Sequence, residues 1–272
     1  MSKISVLTSV HLAPNPNDRN DRLEKFEQAF KSLENQTFKD FEWVLVDDGS
    51  TLDYDWSKMF NTLSSVNLVR LPHAERVIAL ENAMAVAKGE WFIFLDSDDE
   101  LKPNALQKLN SLIEQFPNCK MFNFGAIYTH KDGNFTFRDP FTPKRKSKGH
   151  VFFGGGNIVN GTFVFHRSIY EDLGGFPAGV EGVLENIDCT PLNYGGVRNL
   201  YMNTPYDFSA AAQIEFPELR QFFMVDHEAE PHKIIKELGN PWGQDYYLFF
   251  KYTRKYHSKA VRECLYIVNP KG

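Results

Sequence analysis

The 272-residue sequence predicts an α/β fold in which a mainly parallel mixed sheet is flanked by helices. Three observations lead to this class. Short apolar runs alternate with helical patterns over the first hundred residues, acidic clusters follow two of those runs, and a hairpin pattern appears in the second half. Because strand, helix and strand follow one another, the first half predicts parallel strands joined by right-handed crossovers.

Four apolar runs predict the strands of the first half, which are Ile4 to Val10, Phe41 to Val46, Asn67 to Leu71 and Trp91 to Leu95. The runs are nearly continuous, as is typical of strands that are covered on both faces. Apolar residues at helical spacing predict three helices, marked by Leu23, Phe26, Phe30 and Leu33, then by Val77, Leu80, Met84 and Ala87, then by Leu106, Leu109, Ile113 and Phe116.

The second half of the chain predicts mixed and partly antiparallel structure. Two strand-like runs, Lys120 to Thr129 and Asn134 to Arg138, flank Asp132-Gly133, a pair typical of hairpin turns. The pattern turns helical from Pro231, and Asn240-Pro241 predicts an N-cap that opens a helix toward Tyr256. We therefore expect the chain to end in helical structure.

Composition excludes several classes of protein. The net charge is −5 and basic runs are short, which argues against a nucleic-acid scaffold. No apolar run approaches the roughly 18 residues of a membrane span, and Ile4 to Val10 is too short for a signal peptide. We expect a cytoplasmic protein with at most peripheral membrane contact. Its three distant cysteines lack a C-x-x-C spacing and indicate reduced thiols, namely Cys119, Cys189 and Cys264.

Two acidic clusters follow predicted strands, at the end where ligands of open α/β sheets bind. They are Asp47-Asp48-Gly49-Ser50 and Asp96-Ser97-Asp98-Asp99. Carboxylates this close repel one another unless a cation or hydrogen-bond donors offset them, so the second cluster predicts a magnesium or manganese site. The alternative is an acidic cap on a helix that starts near Pro103. An EF-hand is excluded, because Leu101 and Gln107 stand where it needs glycine and glutamate.

The same stretches resemble the family 2 glycosyltransferases, which have the GT-A fold. SLENQTFKDFEWVLVDDGST, at Ser32 to Thr51, is similar to the family's second strand, and AVAKGEWFIFLDSDD, at Ala85 to Asp99, to its approach to the metal motif. Gly174-Gly175-Phe176 resembles the glycine turn on the acceptor side. The resemblance implies an inverting enzyme of surface glycan synthesis. It would move a sugar from a nucleotide diphosphate donor, with UDP favoured, to a saccharide or lipid-linked saccharide.

The resemblance also implies roles for the acidic clusters. Asp48, with Asp47 as its neighbour, would accept hydrogen bonds from the nucleotide base. Asp96 would face the ribose, and Asp98 would bind a divalent cation, Mn²⁺ or Mg²⁺, that bridges the diphosphate. Asp96 is the second candidate ligand of that cation. Asp99 would either support these ligands or replace one of them.

The catalytic base of the family lies in an acidic motif after the glycine turn. The matching stretch here is Glu185-Asn186-Ile187-Asp188, with Asn186 at the position where the basic aspartate is expected. An amide cannot take up the acceptor proton. Either Glu185 or Asp188 therefore serves as the base, or the chain is a weakly active or inactive scaffold that binds sugar nucleotides.

Three further residues are candidates for the donor site. His11 is a candidate to stack on the base, although a solvated loop histidine is the simpler interpretation. His227 is a candidate to reach the metal or diphosphate, and Arg76 is a candidate phosphate contact. One basic cluster has three possible roles: it forms a solvated loop, closes over the diphosphate or contacts anionic lipid. Its residues are Lys144, Arg145, Lys146 and Lys148.

The resemblance implies a GT-A domain at residues 1–225, with a nucleotide-binding half at 1–100 and an acceptor half at 101–225, before a helical segment at 226–272. Sugar nucleotidylyltransferases share the sheet and the metal, but they need a glycine-rich loop after the first strand. Ser9 to Asn20 contains no glycine, which argues against them. A lectin-like module built on the aromatic C-terminus would not require Asp96 or Asp98.

Overall fold

The computed structural model describes residues 3–14, 21–73, 76–140, 144–145, 151–152, 160–175, 248–249, 252 and 255–270. In chain order its elements are β1 (Ile4–Val10), α1 (Asp21–Glu34), β2 (Phe41–Asp48), α2 (Ser57–Thr62), β3 (Val66–Leu71), α3 (Arg76–Val86), β4 (Trp91–Phe94), β5 (Glu100–Leu101), α4 (Ala105–Gln115), β6 (Met121–Thr129), β7 (Phe135–Arg138), β8 (Lys144–Arg145), β9 (Val151–Phe152), β10 (Phe163–His166), α5 (Arg167–Leu173) and β11 (Ser258–Val268).

The strands of the described residues form one large mixed sheet and a separate pair, β8 with β9. Eight strands of the large sheet follow the order β3-β2-β1-β4-β10-β6-β11-β5, and β7 pairs with β6. The pairs of β1 with β2 and β4, and of β2 with β3, are parallel. β10 runs antiparallel to both of its neighbours, β4 and β6. The predicted α/β class with a mixed sheet is confirmed.

Each face of the sheet carries its own hydrophobic core, and β2 contributes to both. Trp43 and Leu45 pack on the face covered by α1 and α4. Val44 and Val46 point the other way, into the core that α3 covers. Because successive side chains of a strand alternate between faces, a strand covered on both sides needs an apolar residue at nearly every position. The continuous apolar runs of the sequence have this origin.

Aromatic side chains fill much of the α3 face. Phe165 on β10 contacts Phe92 and Phe94 on β4, with ring centroids 5.7 Å apart in both pairs. Two helical residues from the C-terminal part of the chain, Phe249 and Tyr252, join this layer, and the Tyr252 ring lies 5.1 Å from that of Phe165. The layer therefore ties the end of the chain to the middle of the sheet.

The C-terminal region differs from its expected helical structure. Residues 248, 249, 252 and 255 are helical, but Ser258–Val268 is an 11-residue strand that lies between β6 and β5. Its pairing with β6 is irregular, with register shifts between Val261 and Cys264 and between Cys264 and Tyr266. These shifts break the two-residue alternation that identifies a strand in a sequence. The predicted boundary at residue 225 lies outside the described residues.

The predicted hairpin forms between β6 and β7, which pair antiparallel. Gly133 occupies the turn with a φ of +81°, a conformation that glycine adopts without steric cost. Within the described ranges, no helix is long and apolar enough to span a bilayer.

Truncation of Phe165 tests the aromatic layer. We expect Phe165→Ala to lower the free energy of unfolding by about 3–5 kcal/mol, because it removes a buried ring among four aromatic neighbours. Phe60→Ala makes the same deletion at a side chain that is 52% exposed and should cost less than about 0.5 kcal/mol. Urea unfolding measures both values, and equal losses would contradict the assignment of Phe165 to the core.

Candidate functional site

The ends of the parallel strands meet at one edge of the sheet. The register pairs Val10 of β1 with Asp47 of β2, and Leu7 of β1 with Phe94 of β4. The loops that follow β1, β2 and β4 therefore leave the sheet side by side. His11, the first acidic cluster and the second acidic cluster lie in or next to these loops, as the sequence predicts, at the edge where open α/β sheets bind ligands.

Two histidines meet at Asp48. The Nδ1 atoms of His11 and His73 lie 2.7 and 3.0 Å from the backbone oxygen of Asp48, and the rings stack with centroids 4.2 Å apart. His73 Nδ1 is also 2.9 Å from the Asp48 carboxylate. A carbonyl oxygen only accepts, so both Nδ1 atoms carry a proton. The His73 side chain is 53% exposed and that of Asp48 only 3%, so the imidazole is the accessible member of the pair.

His73 is a residue that sequence reasoning missed. It follows the end of β3 by two positions, at the same edge of the sheet as the two acidic clusters. The rule that drew attention to the ends of β2 and β4 applies equally to β3. Leu71-Pro72-His73 contains no acidic residue, so the charge pattern gives no signal of a site at this strand end.

Asp47 holds the turn that follows β2. Its carboxylate is buried, accepts the N–H of Ser50 at 2.9 Å and lies 3.7 Å from the guanidinium of Arg70. The Ser50 hydroxyl in turn accepts the N–H of Leu12, and the Leu12 carbonyl accepts the N–H of Thr51. These bonds fasten the loop after β1 to the loop after β2.

The second acidic cluster forms a tight turn, in which the N–H of Asp99 donates to the backbone oxygen of Asp96 at 3.1 Å. Arg76, at the start of α3, donates to the Asp96 carboxylate at 2.8 Å. Asp96 and Asp98 are partly exposed, whereas Asp99 is buried and accepts the N–H of Asn269 at 3.0 Å. Burial, reinforced by the charges of Asp96 and Asp98, raises the pKa of Asp99.

The structure contradicts the alternative in which this cluster caps a helix. Between the cluster and α4 lie β5 and three further residues, and the first turn of α4 contains no acidic residue. The dipole of α4 therefore does not explain why carboxylates gather here. Asp99 is explained instead by its bonds to the fold, which leaves Asp96 and Asp98 as the two accessible carboxylates of the turn.

These carboxylates fit a hard divalent cation. Asp96 and Asp98 would hold it, since Mg²⁺ is commonly bound through one or two carboxylates together with substrate phosphates. Among the described residues, no three histidine, cysteine, aspartate or glutamate side chains converge as a complete metal cage. Arg76 occupies one oxygen of Asp96, so a cation and this guanidinium compete for the same carboxylate.

Several predicted site residues lie outside the described residues, namely Glu185, Asn186, Asp188 and His227. Their roles remain predictions. The glycine turn that precedes them is described as far as Gly175. Gly174 has a φ of +70°, and its carbonyl accepts the hydroxyl of Tyr252 at 2.9 Å. The turn is thus held by the same aromatic layer that joins the C-terminal part of the chain to the sheet.

The model for glycosyl transferase family 2 matches residues 19–174, which include both acidic clusters and the start of the glycine turn. The chain belongs to this family. Glycosyltransferase GlyG of Streptococcus pneumoniae serotype 4 is 33% identical over 106 residues, which are 38% of this chain and 35% of GlyG. A GalNAc(5)-diNAcBac-PP-undecaprenol β-1,3-glucosyltransferase of Campylobacter jejuni is 31% identical over 119 residues, 40% of this chain and 36% of that protein.

The fold is confirmed by comparison with a solved structure. Residues 1–349 of S. aureus TarS, crystallised in complex with UDP, superpose with a TM-score of 0.51 at 17% identity, over 84% of this chain and 74% of TarS 1–349. The predicted GT-A type is therefore correct at the level of the fold. The matches to the two curated relatives span only about a third of their lengths.

Gly49 tests the contact between the loops after β2 and β3. Its φ is +69°, and a Cβ atom there would lie 2.5 Å from the backbone nitrogen of His73. Gly133 has a similar φ but open space around it. We expect Gly133→Ala to cost about 1–2 kcal/mol for the left-handed backbone alone, and Gly49→Ala to cost more, because His73 must also move.

Urea unfolding of the two variants measures this difference, and the NMR shifts of the His73 ring report its displacement. Equal losses of stability, with the His73 signals unchanged, would show that the loop after β2 tolerates a side chain at Gly49.

Proposed function

We propose that this chain is an inverting glycosyltransferase that moves a sugar from a UDP-sugar to a saccharide acceptor in surface glycan synthesis. The observation that carries the proposal is that Asp48, with the two histidines that contact it, and the Asp96–Asp99 turn lie at the same edge of the sheet. The chain that carries them belongs to glycosyl transferase family 2. The UDP complex of TarS and the lipid-linked saccharide in the name of the Campylobacter jejuni relative support the donor and acceptor classes.

In this proposal the base of the nucleotide lies against Asp48 and His73. The Asp48 side chain is only 3% exposed, and its carboxylate lies 2.9 Å from the more exposed His73 imidazole, so recognition of the base involves both residues. With Nδ1 protonated, a neutral His73 presents Nε2 as a hydrogen-bond acceptor. An acceptor at this point suits a base with an imide N–H, as uracil has.

The diphosphate lies near the Asp96–Asp99 turn and the first residue of α3. Asp96 and Asp98 would hold the divalent cation, which would supply positive charge to offset that of the departing diphosphate. Arg76 already reaches this turn, with its guanidinium 2.8 Å from the Asp96 carboxylate. When the diphosphate binds, Arg76 exchanges Asp96 for a phosphate oxygen. A guanidinium suits that contact because it donates two parallel hydrogen bonds.

The acceptor hydroxyl is deprotonated by a carboxylate in the segment after the glycine turn. Glu185 and Asp188 are the two candidates that the sequence offers beside Asn186. Tight binding of the donor without turnover would support the alternative function, an inactive scaffold that binds sugar nucleotides.

The donor site is tested by thermal unfolding in a panel of nucleotide diphosphate sugars, with and without Mn²⁺. At a donor concentration of about 100 times its Kd, binding should stabilise the native chain by about 2.7 kcal/mol. Asp98→Asn should lose this stabilisation because it removes the negative charge of a cation ligand. Asp40→Asn, an exposed residue just before β2 at the opposite edge of the sheet, should keep it.

Transfer to a saccharide acceptor, assayed as release of the nucleoside diphosphate, separates the enzyme from the scaffold. If no donor stabilises the native chain in either condition, the proposed function is wrong.

Arg76→Gln should separate donor binding from metal binding. The variant loses a charged contact to the diphosphate, which corresponds to roughly 10-fold weaker binding of UDP. It also leaves Asp96 without its guanidinium, so Mn²⁺ alone should bind as tightly as before or more tightly. Calorimetry measures UDP, and electron paramagnetic resonance measures Mn²⁺.

Arg262→Gln, at an exposed position on β11, makes the same change of charge away from Asp96 and should alter neither affinity. Parallel losses of UDP and Mn²⁺ affinity in Arg76→Gln would mean that the guanidinium only supports the fold of the turn.

A further inference from the structure

Tyr266, near the end of β11, reaches the Asp96–Asp99 turn from 170 residues away in the sequence. Its hydroxyl accepts the backbone N–H of Asp96 at 3.0 Å. The carboxylate of Asp99 lies close to the same residue, and burial together with this charge raises the pKa of its hydroxyl. A buried oxygen from β11 therefore holds the first residue of the turn, while Asn269, just after β11, holds the last.

The fold is shaped to admit this ring. At Gly161, just before β10, a Cβ atom would lie 1.7 Å from Cε2 of Tyr266, so any side chain there would collide with the ring. A register shift in the pairing of β11 with β6 falls between Cys264 and Tyr266. Leu265 and Tyr266 pack in the same hydrophobic core although they are consecutive, whereas a regular strand sends consecutive side chains to opposite faces.

Neighbouring residues of β11 fasten the same region. The N–H of Asn269 donates to Asp99 at 3.0 Å, its amide donates to Glu100 at 3.1 Å, and the N–H of Lys102 donates to the carbonyl of Leu265 at 2.9 Å. These bonds hold the chain after the turn, whereas Tyr266 alone of these residues bonds to the N–H of Asp96. Its hydroxyl thus controls the direction that the backbone takes at Asp96, two residues after the end of β4.

We propose that Tyr266 is a positioning residue of the donor site, which holds Asp96 and Asp98 at the spacing that the cation and diphosphate require. The inference rests on the proposed function. Tyr266 acts through the turn, because its hydroxyl lies within the fold and accepts the backbone N–H of Asp96. Groups that orient metal ligands commonly contribute 10- to 100-fold to metal affinity.

The test compares Tyr266→Phe with the native chain and with Tyr54→Phe. The Tyr54 hydroxyl donates to a carboxylate, that of Glu27 at 2.9 Å, and its ring is also buried, in the cluster of Phe26 and Trp56. Three quantities are measured for each chain: Mn²⁺ affinity by electron paramagnetic resonance, thermal unfolding, and hydrogen exchange at the amide of Asp96.

We expect Tyr266→Phe to bind Mn²⁺ about 10- to 100-fold more weakly and to exchange the Asp96 amide faster. Its melting temperature should change by about as much as that of Tyr54→Phe, whose Mn²⁺ affinity should equal that of the native chain. Asn269→Ala keeps the backbone N–H bond to Asp99 and should stay within about 2-fold in Mn²⁺ affinity, because it leaves the Tyr266 hydroxyl in place.

An unchanged Mn²⁺ affinity in Tyr266→Phe would overturn the inference, as would an equal loss in Tyr54→Phe. Hydrogen exchange in the native chain is a test that needs no variant, and a fast-exchanging Asp96 amide there would also overturn it. If the native chain binds neither Mn²⁺ nor UDP, the proposed function fails instead, while the exchange data still decide whether Tyr266 holds the turn.

Discussion

Parallel pairing of β1 with β2 on one side and β4 on the other is the constraint on which the donor site depends. Because the three strands run in the same direction, their carboxyl ends reach one edge together, and the loops that leave them become neighbours. The bonds between Leu12 and the Ser50–Thr51 turn are possible only in this register. A shift of one residue would also turn Trp43 and Leu45 away from their core. The two hydrophobic cores therefore fix the geometry of the polar site.

The C-terminal strand adds a second constraint, which acts from the far half of the sheet. β11 runs parallel to β6, and β6 and β4 both pair antiparallel with β10, so β11 ends at the same edge as β4. This direction brings Tyr266 and Asn269 to the acidic turn. The turn is thus held between its own strand and a strand that follows it by more than 150 residues. The geometry of the turn therefore depends on contacts with both halves of the sheet.

The sequence allowed prediction of the elements whose signal is local. β1 to β4, the helices that cover them and the β6–β7 hairpin follow from periodicity and from one Asp-Gly pair, and the strand ends locate Asp48, Asp96 and Asp98. His73 was within reach of the same rule. Tyr266 was not, because the bulged pairing of β11 hides its alternation, and because a bond between residues 96 and 266 leaves no trace in either local pattern. The division of roles among Asp96, Asp98 and Asp99 likewise depends on burial, which three similar carboxylates in one turn do not reveal.

Asp96 and Asp98 differ from Asp99 in burial and therefore in role. Asp99 is enclosed and accepts the N–H of Asn269, which stabilises its charge against the burial and the like charges that raise its pKa. Asp96 is offset by Arg76, and Asp98 is partly exposed. Competition between Arg76 and a cation for Asp96 would couple metal binding to diphosphate binding. A cation on Asp96 releases Arg76 for the diphosphate, and a diphosphate on Arg76 releases Asp96 for the cation. Such coupling is reciprocal: whatever factor the cation adds to diphosphate affinity, the diphosphate adds to cation affinity. Tyr266 holds the backbone of the turn at Asp96. This restraint keeps the Asp96 carboxylate in the position where Arg76 and the cation compete for it.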